Sequence, residues 1–317
     1  MRHASESPSQ DPQRDPKDYE WLKKVLDSFE TESQRMLKVV EILRDDEQFN
    51  NPTKRSCSFE EIEYYIEDYD LAVDFCKMSG LDLVAKAFDL QHEPTTLQAL
   101  QITSLLCQNH PDVQQRVLEA GLHKKVFGLF SSSSNPEMIQ KCISCISALV
   151  RDCPEGLAYF LSEASFLPRL VALIKLSESF HDQESKDNSA LQPTLKLLMR
   201  VITLLKHVIS ASAEAKDRLR AEGLISFLPS LVLCGLPRDN PRHIDDVYSP
   251  LTGDVREKAV EFIQLFSSDS VANRKGIVES GLSQIIKDRL AALTDAVASR
   301  EELIKEMEIF QGCLALE

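Results

Sequence analysis

The chain has 317 residues, 43% hydrophobic and 27% charged, a balance that excludes wholesale disorder and permits a sizeable core. Its formal net charge of -14, from 36 Lys and Arg against 50 Asp and Glu, repels phosphate backbones and anionic lipid heads, which argues against nucleic acid and membrane partners. No run of about 18 apolar residues occurs, and the polar N-terminus MRHASESPSQDPQRDPKDYE lacks the apolar stretch of a secretion signal, so a cytoplasmic protein is expected, with the nucleus also open to it.

In chain order, residues 1–16 are a Pro-rich polar tail expected to be disordered. Residues 17–57 are expected to form an N-terminal helical cap and linker. Trp21, Leu22, Val25 and Phe29 are placed to cover the open end of a helical array, and the polar stretch DDEQFNNPTKRSCS reads as the linker. Through residues 58–298, apolar residues recur at three- and four-residue steps, and period-two alternation is nowhere sustained, so the fold class is all-α. Ile139, Ile143, Ile146 and Val150, spaced 4, 3 and 4, build one such apolar stripe.

A landmark of two small residues before an apolar helix recurs in SGLDLVAKAF, AGLHKKVFGLF, ASFLPRLVALI, EGLISFLPSLV and SGLSQIIKDRL. Successive landmarks lie 41, 44, 58 and 58 residues apart. The first two steps match the roughly 40–47-residue period of armadillo and HEAT units. The longer steps each contain a polar insertion, SESFHDQESKDNSA from Ser177 and LPRDNPRHIDDVYSPLTGD from Leu236. A short helix precedes each landmark and a longer one separates successive landmarks, which gives three helices per unit. The expectation is an armadillo-type solenoid with helical caps at both ends, residues 299–317 supplying the C-terminal one.

Aligned by distance from the following landmark, the long helices share four polar positions spaced 3, 3 and 4. The first carries Gln98, Gln101, Ser104 and Gln108; the second Lys141, Ser144, Ser147 and Arg151; the third Arg200, Thr203, Lys206 and Ser210; the fourth Lys258, Glu261, Gln264 and Ser268. Such spacing keeps each set on one helix face, and long third helices line the concave side of stacked three-helix units. The ladder reads either as a partner-binding groove or as the solvated face of each helix. Its first rung, Gln, Lys, Arg, Lys, is basic in an acidic chain and suits an acidic partner surface. Reversing Lys141 and Arg200 to Glu is expected to abolish binding at little cost in stability.

Catalytic signatures are missing: there is no phosphate-cradling Gly-rich loop, HExxH or GxSxG. An enzyme is not expected, nor a cofactor. Cys142 and Cys145 form a CxxC inside an apolar helical stripe without a second pair, so core packing is the reading preferred to metal or redox work. All eight cysteines are expected to be free thiols.

At FCKMSGLDLV (Phe75 to Val84), CQNHPDVQQRVLEAGLHKKVFGLF (Cys107 to Phe130) and ISALVRDCPEGLAYFL (Ile146 to Leu161), the chain resembles the cytosolic heat shock protein 70-binding protein family of nucleotide exchange factors. The likeness runs from about Glu20 to Cys313 and includes EWLKKVLDSF and EELIKEMEIF. The resemblance implies a monomeric, cofactor-free co-chaperone whose concave face grips lobe II of the chaperone's ATPase domain and promotes ADP release. It also implies concave-face contacts at Asn109, Lys141, Arg151 and Arg200. Gln98 stands where relatives carry a basic residue, and Lys206 with His207 where they carry a Gln-Asn pair. The alternative is an armadillo adaptor for an extended peptide, but such grooves use Trp and Asn ladders, and the single Trp21 lies outside the repeats.

Overall fold

A computed structural model describes residues 30–180, 192–236 and 250–296. The expected cap residues Trp21 to Phe29, most of both polar insertions, and the C-terminal cap at 299–317 lie outside the described residues. Within them every element is helical.

Helix α1 (Glu32–Arg44) opens on a reciprocal capping box between Thr31 and Gln34. Asp45 then caps α2 (Asp46–Asn50), and Asn51 caps α3 (Pro52–Tyr65), which begins on Pro52. The linker reading of DDEQFNNPTKRSCS is thereby corrected. Its turn-forming Asp and Asn act as N-caps, and Phe49 and Phe59 are fully buried, their rings meeting edge to face at 6.3 Å.

Three-helix units follow. They run α4 (Tyr69–Lys77), α5 (Gly80–Asp89) and α6 (Glu93–Cys107), then α7 (Pro111–Glu119), α8 (Leu122–Ser132) and α9 (Pro136–Val150). The next are α10 (Pro154–Ser162), α11 (Phe166–Ile174) and α12 (Gln192–Ala211), then α13 (Ala213–Ala221), α14 (Leu228–Val232) and α15 (Pro250–Ser267). Helices α16 (Val271–Glu279) and α17 (Leu282–Ala296) close the described chain.

The landmarks are sharp turns. Gly121, Gly223 and Gly281 take φ of 73°, 81° and 76°, a region glycine enters without a Cβ penalty. In the first landmark Ser79 makes this turn instead, and Gly80 is needed for space: a Cβ there would lie 2.4 Å from the Phe75 ring. Asn109, Asp152 and Asp269 take φ of 54–56° just beyond α6, α9 and α15, residue types whose short polar side chains tolerate that conformation.

The long helices α3, α6, α9, α12 and α15 pack side by side in order. The stripe Ile139, Ile143, Ile146 and Val150 is buried, as the spacing predicts, within one continuous apolar core. Neighbouring units also cap one another. Gln114 Nε2 on α7 donates to the carbonyls of Ala148 and Arg151 at 2.6 and 2.9 Å, satisfying the end of α9, and Lys216 Nζ on α13 donates to the Ser268 carbonyl at 3.1 Å. These bonds fix each long helix against the next and so align the ladder.

Candidate functional site

None of the sixteen ladder positions is buried. Because the long helices lie side by side, rungs on adjacent helices bond laterally. Lys141 Nζ donates to Gln101 Oε1 at 2.7 Å, Arg200 donates to Ser144, and Lys206 Nζ pairs with Glu261 Oε2 at 2.6 Å. The ladder is one continuous polar surface rather than four independent solvated faces.

That surface is hollowed. A depression of about 440 Å3 is lined from α6 by Ser104, from α9 by Ser144, Ser147 and Arg151, from α12 by Lys196 and Arg200, and from α15 by Lys258. Helices three places apart reach one hollow only if the array curves toward it, so this is the concave side. Of the residues expected at the site, Gln108, Asn109, Arg151, Arg200 and Lys258 converge here. Gln98 does not: it donates to Ser56 Oγ at 2.9 Å in a separate hollow beside Pro52 and Pro94. Gln101 and Lys141 hold each other outside the depression, and Lys206 spends its charge on Glu261.

Arg151, Lys196, Arg200 and Lys258 line the depression together, and among the described residues no carboxylate does. Curved low-dielectric walls concentrate such a field, so a locally positive site survives in a chain of net charge -14. Burial depresses the pKa of the Arg200 guanidinium, a mark of partial desolvation. His207 stands between two rungs, with Nδ1 3.1 Å from Ser147 Oγ and Nε2 3.1 Å from Arg151 Nη2. Arginine only donates, so Nε2 accepts and Nδ1–H donates to Ser147, which fixes the neutral tautomer. Burial first, then Arg151 and Lys206, lower the His207 pKa.

Sequence reasoning missed two contributions. Lys196 lies one helical turn before Arg200, off the four-position register. Helix α3 supplies a fifth set of rungs: the 23-residue interval between Gln98 and Gly121 also separates Cys57 from Gly80, so the register continues as Cys57, Glu60, Glu63 and Glu67. Among these, burial pushes the Glu63 carboxyl up while the nearby Lys141 pulls it down. The face therefore runs from acidic on α3, through neutral glutamines on α6, to basic on α9 and α12.

No family model matches the chain. Among solved structures it is similar to a designed armadillo repeat protein in complex with the peptide (KR)4, at a TM-score of 0.59 and 17% identity over 88% of this chain and 99% of that one. A computationally designed armadillo protein for modular peptide recognition gives 0.60 and 16% over 89% and 99%. The fold is an armadillo-type solenoid. Among curated proteins, Hsp70-binding protein 1 of Rattus norvegicus is 26% identical over 202 residues, 59% of this chain and 52% of that protein. The protein of the same name from Homo sapiens is 25% identical over 222 residues, 65% and 57%. The chain is similar to Hsp70-binding protein 1 of both organisms. It spans about half the length of the curated relatives it matches.

The CxxC cysteines add packing rather than chemistry beneath this face. Cys142 and Cys145 are both buried in α9, and Cys145 Sγ donates to the Leu100 carbonyl at 3.7 Å. Burial pushes the Cys142 thiol to about 12 and Cys145 well above its ordinary value, so neither supplies a thiolate near neutral pH. The seven described cysteines are free thiols; Cys313 lies outside the described residues.

Proposed function

We propose that the chain binds an Hsp70-type chaperone through the concave face of its long helices and promotes ADP release from the chaperone's ATPase domain, gripping lobe II. It acts as a cytoplasmic monomer, with no cofactor and no bond-making chemistry of its own. The observation that carries this reading is the convergence of Arg151, Lys196, Arg200 and Lys258 on one depression, in a chain whose curated relatives are named for binding Hsp70. A cationic hollow in an acidic molecule selects an acidic patch and orients its approach. Exchange then follows by linkage: a factor that binds the nucleotide-free chaperone tenfold more tightly than the ADP-bound form weakens ADP equally, by about 1.4 kcal/mol.

Isothermal titration of the isolated ATPase domain into the full chain tests the reading. The wild type should bind. Arg151→Glu with Lys258→Glu should weaken binding at least about a hundredfold, because like charges facing across an interface cost several kcal/mol. Unaltered affinity in a folded double variant would move the binding face elsewhere. The peptide-adaptor alternative is the reading to adopt if the chain ignores the ATPase domain and takes up an extended acidic peptide instead.

A further inference from the structure

The cationic depression adjoins a second hollow, of about 310 Å3, and Gln108 and Asn109 line both. The second lies where α3 gives way to α4 against the end of α6, and its character is opposite: Glu67, Tyr69 and His110 line it, and among the described residues no Lys or Arg does. His110 is only 3% exposed and stacks on the Tyr69 ring, with centroids 3.6 Å apart and planes 6° from parallel. Its Nε2 lies 3.1 Å from the Tyr69 carbonyl oxygen. A carbonyl only accepts, so Nε2 carries a hydrogen. Nδ1 is itself buried and has no hydrogen-bond partner among the described residues.

We propose that this hollow is a socket for a basic side chain, best an arginine, of the protein that lies across the long-helix face. The guanidinium fork matches the two oxygens of the Glu67 carboxylate, while its apolar stem lies along Leu105 and Tyr69. Socket and cationic depression then form a two-signed face: the partner presents acidic groups to Arg151 and Arg200 and a basic side chain to Glu67. A partner shifted along the groove sets like charges together, so the pair fixes register. The partner's identity rests on the function proposed above; the socket's chemistry does not.

Two measurements on the full chain separate those dependencies. In the first, the isotope-labelled protein is titrated with N-acetyl-arginine amide and, as an uncharged control, N-acetyl-glutamine amide, and backbone amide shifts are followed by NMR. The arginine compound should perturb Glu67, Tyr69, Asn109 and His110, saturating at concentrations on the order of millimolar, and the glutamine compound should not. Glu67→Gln, a change at an exposed position that leaves the core intact, should weaken the arginine response by about tenfold. Shifts scattered over the acidic surface, or unchanged in Glu67→Gln, would overturn the socket. In the second, affinity for the Hsp70 ATPase domain should fall about tenfold in Glu67→Gln. An unchanged affinity overturns the two-signed interface while leaving the proposed function standing. If the wild type fails to bind the ATPase domain, the function falls and the arginine titration alone decides the socket.

Discussion

His207 couples two rungs of the ladder only while its ring is neutral, because Nε2 must accept from Arg151. Burial, then Arg151 and Lys206, depress its pKa against a weaker upward pull from Asp152; burial and Lys124 depress that of His123. A histidine depressed in the folded state takes up protons more readily when unfolded. The stability it confers is complete above the ordinary histidine value, about 6.5, and is lost as pH falls through the lower folded-state values. Melting temperature should therefore decline on acidification below about pH 6.5, and His207→Gln, which keeps a donor and an acceptor without titrating, should remove part of the decline. A melting temperature that is flat or rising over that range would contradict the assignment. The thiols offer a second residue-level check. Cys57 is exposed, whereas burial raises Cys76 to about 11 and Cys234 to about 12. Iodoacetamide followed by peptide mapping should label Cys57 quickly and Cys142, Cys145 and Cys234 only on unfolding; rapid labelling of the CxxC pair in native protein would contradict its core placement.

At the scale of the element, much of α6, α9, α12 and α15 is legible in the sequence, because apolar stripes of helical period and recurrent landmarks fix both the helix and the face it exposes. Helix α3 was not, since Asp45 and Asn51 look like turn formers when their role as N-caps is unknown, and its solvent face is a run of glutamates. Lateral pairing was equally hidden: periodicity gives a face but not the offset between neighbouring helices, so nothing in the sequence joins Lys141 to Gln101 or Lys206 to Glu261. This bears on mutagenesis. Lys141 read as a free surface charge, yet it is half-buried, bonded to Gln101 and close to Glu63. Lys141→Glu should therefore cost about 1–2 kcal/mol, from the lost bond and the new repulsion, in place of the small penalty expected from sequence. Arg151→Glu, at an exposed helix end where the side-chain bond lost is the solvent-facing contact to His207, should cost less than about 1 kcal/mol. Urea unfolding of the two variants checks the ordering, and equal losses would mean the Lys141 contacts carry no weight.

Across the whole molecule, the curvature of the array turns a periodic polar pattern into a site. Arg151, Arg200 and Lys258 come from three different units, and only the superhelical bend brings them to one hollow, with acidic α3 at the far end of the same face. Field and shape then point one way, toward a partner surface that is mostly acidic and meets the chain in a single register. The most direct measurement is stopped-flow release of a fluorescent ADP analogue from the isolated Hsp70 ATPase domain. Release should accelerate with chain concentration to a plateau, and return to the unassisted rate with the folded Arg151→Glu, Lys258→Glu variant. Release at the unassisted rate in the presence of saturating wild-type chain would contradict the proposed function.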